Sequence, residues 1–195
     1  FKLFASLINK IGMLYTRKGD EGTTKTFGCD QRVSKSSAIA EALGTLDECN
    51  SFLGVCKTNP DAKQTLLEGY TFAGMIDWVQ QNLFIVQAHI AGADKTIAKE
   101  KITHMESLID AIEKELPPIK TFFVSGGTSL AAQFDVARTL ARRAERRVVA
   151  VSESEGGKIE PTILVFLNRL SSLLYALARL ANHRAGIKEE SPAYK

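Results

Sequence analysis

Along most of this chain, apolar residues recur every three or four positions, and runs of strict alternation are nearly absent. That period belongs to helices with one buried stripe, so the pattern predicts an all-α protein. Five long stretches stand out. The first, about residues 35–57, is apolar at Ile39, Ala42, Leu43, Leu46, Phe52, Leu53 and Cys56. The second, about 61–91, carries Leu66, Leu67, Phe72, Met75, Ile76, Val79, Leu83, Phe84, Val86 and Ile90. The third runs from about 96 to 116 and stops at Pro117-Pro118, which cannot continue a helix. The fourth begins after "SGGTS", and the fifth starts near Pro161, a favoured first-turn residue, and runs to a glycine stop at Gly186. Long helices joined by short connections pack as antiparallel neighbours, so the expected architecture is one five-helix bundle spanning residues 13–195.

Two segments break the pattern. "YTRKGDEGTTKTFGCDQRVSK", residues 15–35, has three glycines, several threonines and several basic residues without a helical period. Irregular segments of this length inside a compact domain are usually functional. Glycines permit close backbone approach, and hydroxyls, free amides and lysines suit phosphate oxygens. The segment is not a Walker A loop, because G-x-x-x-x-G-K-[ST] occurs nowhere in the chain. The second segment, "TFFVSGGTS" (121–129), sets two phenylalanines beside a glycine turn, with a helix cap expected at Thr128 or Ser129. It reads either as a hydrophobic staple entering the fourth helix or as an aromatic wall beside a ligand.

The fourth helix holds "VARTLARRAERRVV", with five arginines and one glutamate in residues 136–149. Ala137, Leu140, Ala141, Ala144, Val148 and Val151 share an apolar arc. Arg138, Arg142, Glu145, Arg146 and Val149 share another, with Arg143 and Arg147 on the remaining flank. Glu145 lies three residues from Arg142 and can partly neutralise the row. Forked guanidinium groups on a rigid helix suit a polyanion such as a nucleotide triphosphate, while a plain basic surface remains the alternative.

Composition narrows the field. With 45% hydrophobic and 24% charged residues, the chain is an ordinary globular domain, and a net charge of +3 gives no bulk case for nucleic acid. The three cysteines, Cys29, Cys49 and Cys56, form no C-x-x-C, which argues against a disulfide framework or zinc site and fits a reducing compartment. His89, His104 and His183 show no ligand spacing, so no metal site is assigned to protein side chains. No apolar run is read as a membrane span. Residues 1–12, "FKLFASLINKIG", are treated as an extension or short amphipathic arm, and Met13 as a plausible native start.

Taken together, "YTRKGDEGTT" with Lys35 downstream, "EALGTLDECNS", "FFVSGGT", "ARTLARRAERRVV" and "FLNRLSSLLYALAR" closely resemble the PduO-type ATP:cob(I)alamin adenosyltransferases. The motifs occur in that family's order and cover nearly the whole chain beyond residue 13. The resemblance implies a five-helix bundle assembling as a homotrimer with sites at subunit interfaces. It places ATP on Thr16, Arg17, Lys18, Gly19, Thr24, Lys25 and Lys35, on Arg142, Arg143, Ala144, Glu145 and Arg146, and on Asn168. Arg142, Arg146 and Glu145, together with Phe122, would act in catalysis. Asp47 matches an acid that pairs with an arginine across the interface and shapes the corrinoid side. Arg138 is the candidate for a supporting interface role, and Phe122 matches an aromatic that lies under the corrin in place of its lower ligand. Three positions depart from the family pattern: Ser125 for proline, Cys49 for leucine, and Ser172 for an aspartate.

The implied reaction moves the 5′-deoxyadenosyl group from ATP to cob(I)alamin and releases triphosphate, with Mg²⁺ bound through ATP. Cobalt(I) is itself the nucleophile, which fits a chain without a recognisable triad or acid–base dyad. An electron-donating reductase and an adenosylcobalamin-dependent enzyme are the implied partners. Neither nucleic acid nor membrane is expected, and the setting is the cytoplasm, or the mitochondrial matrix in a eukaryote. Two other classes share the residues: a helical nucleic-acid-binding module, which would show strong salt-dependent affinity, and a non-catalytic sensor or carrier, which would show no turnover.

Overall fold

The computed structural model describes residues 15–26, 31–67, 69–154 and 158–194. Among them are five α-helices: α1 (Ala38–Thr58), α2 (Phe72–Ile90), α3 (Lys99–Glu115), α4 (Ser129–Glu153) and α5 (Pro161–Arg184). Four of the five form where an apolar stripe meets a start signal. Ser37, Thr71 and Thr128 accept hydrogen bonds from Ala40 N, Gly74 N and Ala131 N, satisfying amides that the first turn leaves free. Pro161 occupies the first turn of α5.

Helices α4 and α5 form the centre of the bundle, with α1 against α4, α2 against α1 and α3 against α5. The core includes the fully buried rings of Phe72, Phe134 and Phe166. Burying a side chain of that size contributes about 1.5–3 kcal/mol. On one flank Trp78 stands 5.3 Å from the His104 ring and 6.2 Å from Phe166, while Tyr70 packs on His104 at 5.7 Å. Cys49 and Cys56 lie in the core, and burial pushes both thiols up to about 12, so neither is a nucleophile near neutral pH. Cys49 fills its apolar site in place of a leucine without a polar penalty.

Three expectations are corrected. The second helix is shorter than residues 61–91. Pro60 opens a 3-10 turn (Pro60–Lys63), followed by a small antiparallel pair, β3 (Thr65–Leu67) with β4 (Tyr70–Thr71). Leu66 belongs to the core but reaches it from a strand, so an apolar run too short to show its period was misread as helix. Residues 15–35 also hold strands, β1 (Thr23–Lys25) and β2 (Arg32–Ser34), paired antiparallel with Thr24 opposite Val33. Finally, α5 is long and apolar enough to cross a membrane by length and composition, contrary to the sequence reading. In this fold 67% of its most apolar window is buried, as expected of a central core helix. Residues 1–12, Met13 and Cys29 lie outside the described residues.

Candidate active site

The buried stripe of α4, including Ala137, Ala141, Ala144, Val148 and Val151, turns its arginines outward. The guanidinium groups then divide. Arg143 is ion-paired with Glu48, and Arg147 lies 3.4 Å from Glu41, both acids being on α1. Arg138 Nε donates to Asp135 Oδ1 at 3.3 Å, and its guanidinium sits 5.8 Å from the Tyr175 ring centre. Arg142 and Arg146 are exposed and, among the described residues, make no ion pair.

Two site expectations on this helix change. Ala144 is fully buried, so its side chain is closed to any ligand; its part is to set the spacing between the two arginine pairs. Glu145 does not neutralise Arg142. Its Oε1 accepts from Asn168 Nδ2 at 3.0 Å, Asn168 Oδ1 accepts from Arg169 Nη1 at 2.9 Å, and Arg169 Nε donates to Glu106 at 2.7 Å. This relay links α4, α5 and α3, and it fixes the orientation of Glu145 and Asn168 beside the exposed arginines.

Arg138 and Arg142 line a cleft of about 610 Å³ together with Ser171, Ser172, Tyr175 and the segment holding Phe122 and Phe123. Burial raises the Tyr175 phenol above its ordinary value, which keeps it a hydrogen-bond donor. Phe122 is 78% exposed, so its ring is open to whatever enters the cleft. Phe123 is half-buried beneath Arg179, 5.2 Å from ring centre to guanidinium. Ser172 opens on the same cleft, so the carboxylate that the family pattern would place there is absent from a wall bearing two arginines.

The aromatic loop is held by residues that the sequence reading passed over. Asn182 bonds Gly126 O and Thr128 N, Asp135 accepts from Gly126 N at 3.3 Å, and Val124 N donates to Glu190 O at 2.8 Å. The available signal was a polar residue on an otherwise buried helix face: Arg179 and Asn182 interrupt the apolar run "LLYALARLAN".

The glycine-rich segment is a hairpin organised by Arg32, another residue missed from sequence. Arg32 Nε donates to Thr23 Oγ1 at 2.7 Å and Nη2 to Thr23 O at 2.8 Å, and Nη2 also bonds Lys18 O. One fork thus ties β2 to β1 and to the turn that displays Thr16, Arg17, Lys18 and Gly19. Arg17 takes φ +59°, uncommon outside glycine. Lys35 lies against Gly19, where an added Cβ would stand 3.1 Å from Nζ. Thr24 and Lys25 lie on β1, with Lys25 opposite Arg32.

Asp47 is placed elsewhere. It is exposed on α1 and lines a second cleft of about 750 Å³ between α1 and α2, with Phe84 and Lys95 among its neighbours. Within one chain the expected site residues therefore occupy three places: the outward side of α4 and α5, where Arg138 and Arg142 line the cleft with Phe122, the hairpin, and the α1–α2 cleft.

The cobalamin adenosyltransferase family model matches residues 14–181. The chain belongs to the cobalamin adenosyltransferase family. It is 39% identical over 178 residues to the corrinoid adenosyltransferase of Bacillus subtilis (strain 168), covering 89% of each chain. Identity to the corrinoid adenosyltransferase PduO of Citrobacter freundii is also 39%, over 88% of this chain but only 50% of that longer protein. Among solved structures, a single-residue variant of the PduO-type ATP:corrinoid adenosyltransferase from Lactobacillus reuteri, complexed with cobalamin and ATP, superposes with a TM-score of 0.82 at 30% identity. That match covers 93% of this chain and 97% of the other. The family thus accounts for the chain from the hairpin to the last turns of α5.

Proposed function

We propose that this chain transfers the 5′-deoxyadenosyl group of ATP to cob(I)alamin, releasing triphosphate. The observation that carries the reading is one cleft joining an exposed phenylalanine, Phe122, to Arg142, which has no ion pair among the described residues. A corrin macrocycle offers a flat face to the ring, and a triphosphate offers oxygens to the guanidinium. The cobalt supplies the electron pair that forms the Co–C5′ bond, while the C5′–O bond breaks and triphosphate leaves with its electrons. The protein's share is to bring C5′ to the metal and to stabilise the charge on the departing group.

Each residue then has a task. Arg142 and Arg146 bind the leaving triphosphate, with Arg143 beside them on the flank. Glu145 and Asn168, oriented by their mutual hydrogen bond, contact the nucleotide. The hairpin residues Thr16, Arg17, Lys18, Gly19, Thr24, Lys25 and Lys35 wrap the phosphates from the other side. Among the described residues no group of three His, Cys, Asp or Glu gathers into a metal site. Mg²⁺ would be held by phosphate oxygens, and its chemistry there is to offset triphosphate charge. Phe122 covers the lower face of the corrin and keeps water and the cofactor's own base from cobalt.

The separation of hairpin, α4–α5 cleft and Asp47 supports a composite site in a homotrimer. There the Asp47 cleft of one chain would meet the arginine wall of the next, with Arg138 in a supporting interface role. An electron-donating reductase and an adenosylcobalamin-dependent enzyme complete the reading. The buried free thiols of Cys49 and Cys56 suit a reducing setting, the cytoplasm or a mitochondrial matrix.

The direct test is anaerobic incubation with ATP, Mg²⁺ and reduced cobalamin, followed by visible spectroscopy. Appearance of the adenosylcobalamin spectrum, with one triphosphate released per corrinoid, is the expected result; ligand binding without conversion would reduce the protein to a sensor or carrier.

A further inference from the structure

The loop that carries Phe122 has little of its own to hold it. Thr121, Phe122, Val124 and Ser125 are exposed and belong to no helix or strand. Such a segment is free to move unless its backbone is tied elsewhere. Here the ties come largely from the last turns of α5 and the residues that follow.

Asn182, only 8% exposed, spans the glycine turn: Nδ2 donates to Gly126 O at 2.8 Å, and Oδ1 accepts from Thr128 N at 2.9 Å. Gly127 makes this contact possible. It takes φ +99°, and a Cβ there would stand 2.2 Å from Asn182 Oδ1. Arg179 lies three residues earlier on α5 and is 4% exposed. Its Nε and Nη2 each donate to the Glu189 carboxylate at 2.8 Å, and Nη2 also donates to Pro117 O at 3.0 Å. The same guanidinium covers Phe123. Glu190, next to Glu189, accepts from Val124 N, two residues beyond Phe122.

Bundle packing alone does not call for these side chains, since an apolar residue fills such a position at lower desolvation cost. What they share is the loop. Pro117 lies on its upstream side, Gly126 and Thr128 form its end, and the 189–190 segment crosses it between them. We propose that Asn182 and the Arg179–Glu189 pair are positioning residues that fix the 121–128 loop so that Phe122 stands at the corrinoid face of the cleft. This rests on the corrinoid reading of that cleft.

The test compares wild type with Asn182→Ala, Glu189→Gln and Arg179→Lys, using thermal unfolding to check the bundle. Roughly tenfold or greater rises in KM for cobalamin are expected for Asn182→Ala and Glu189→Gln, the scale of one charge-assisted or buried hydrogen bond. KM for ATP should stay within about twofold, because no triphosphate contact is touched. Turnover starting from cobalt(II) should fall more than turnover from prereduced cobalt(I). Arg179→Lys, which keeps the charge but loses the fork, should show the same changes to a smaller degree. If Asn182→Ala does not fold, Glu189→Gln decides alone, since Glu189 lies beyond the helices. Equal losses toward ATP and cobalamin, or an unchanged cobalamin KM in folded variants, would overturn the proposal. Amide exchange across residues 121–128 tests the anchoring apart from turnover: faster exchange in the variants supports it and unchanged exchange sinks it. A wild type that makes no adenosylcobalamin, with exchange still faster in the variants, would instead remove the functional reading and leave the anchoring in place.

Discussion

Helices α4 and α5 lie side by side at the centre of the bundle, and both carry arginines, but they treat them differently. On α5, Arg169, Arg179 and Arg184 each pair with a carboxylate of the same chain: Glu106, Glu189 and Glu115. On α4, Arg138, Arg143 and Arg147 have such partners, while Arg142 and Arg146 have none among the described residues. An arginine whose acid partner lies on another element, as with Arg147 and Arg184, helps hold those elements together. One left open on a rigid helix beside a cleft keeps its forked donors for an outside anion. The difference separates structural from ligand-binding charge more sharply than the density of arginines does.

The sharpest way to break this contrast is to remove an open arginine. Arg142→Ala and Arg146→Ala should each lower kcat/KM roughly ten- to a hundredfold, because a charge-assisted contact contributes about 1.5–3 kcal/mol. Unfolding temperatures should barely change. Arg147→Ala, which removes a half-exposed pair to Glu41, should cost no more than about 1 kcal/mol of stability and leave kinetics near wild type. If Arg147→Ala impairs turnover as much as Arg142→Ala, the division is wrong. Arg143 is the intermediate case: Arg143→Ala should lose activity while Glu48→Gln keeps it, and equal losses would make the pair itself the important feature.

Phe122→Ala probes the uncharged side of the same cleft. Turnover from cobalt(II) should drop far more than turnover from prereduced cobalt(I), with ATP affinity nearly intact. A less stable protein with equal activity from both oxidation states would make the ring mere packing. Asp47→Ala should shift the assembly toward smaller species in light scattering, since a partner arginine would lose its counter-charge. A fully active, monodisperse single chain would remove the composite site.

The smallest effect belongs to a committed arginine. The hydrogen bond from Arg184 holds the Glu115 carboxyl below its ordinary value of 4.5. A carboxylate whose value is lowered on folding contributes stability above the unfolded value and loses it as pH falls through the folded one. Stability should therefore decline below about pH 4.5, and Arg184→Gln should flatten that part of the profile slightly. Because the pair is partly exposed, the change should not exceed about 1 kcal/mol. A flat profile in the wild type would contradict it.

How much of this was legible beforehand depended on whether information lay along one element or between several. The helix stripes were readable because period and caps are local: Thr128 and Pro161 mark starts that the fold uses. The second helix was overextended because Leu66 and Leu67 are too few to reveal a strand. The arginine stripe and the apolar arc behind it were readable from the helical period, yet sequence could not say which guanidinium groups face acids on α1. That depends on the crossing of α1 and α4, which brings Glu41 and Glu48 within reach. Arg32, Arg179 and Asn182 escaped for the same reason, since their partners lie 9 or more residues away in sequence.

The aromatic flank has a practical consequence. Trp78 is the single tryptophan of the chain, and it sits against His104 and Phe166, where α2, α3 and α5 converge, rather than in either cleft. Its emission is a built-in reporter of bundle integrity, shielded from direct contact with whatever enters beside Phe122. Corrinoids absorb where indole emits, so their capture should quench that emission in place, whereas melting should shift it to longer wavelength. A variant that has lost its fold can be told from one that has lost its chemistry without labelling the protein.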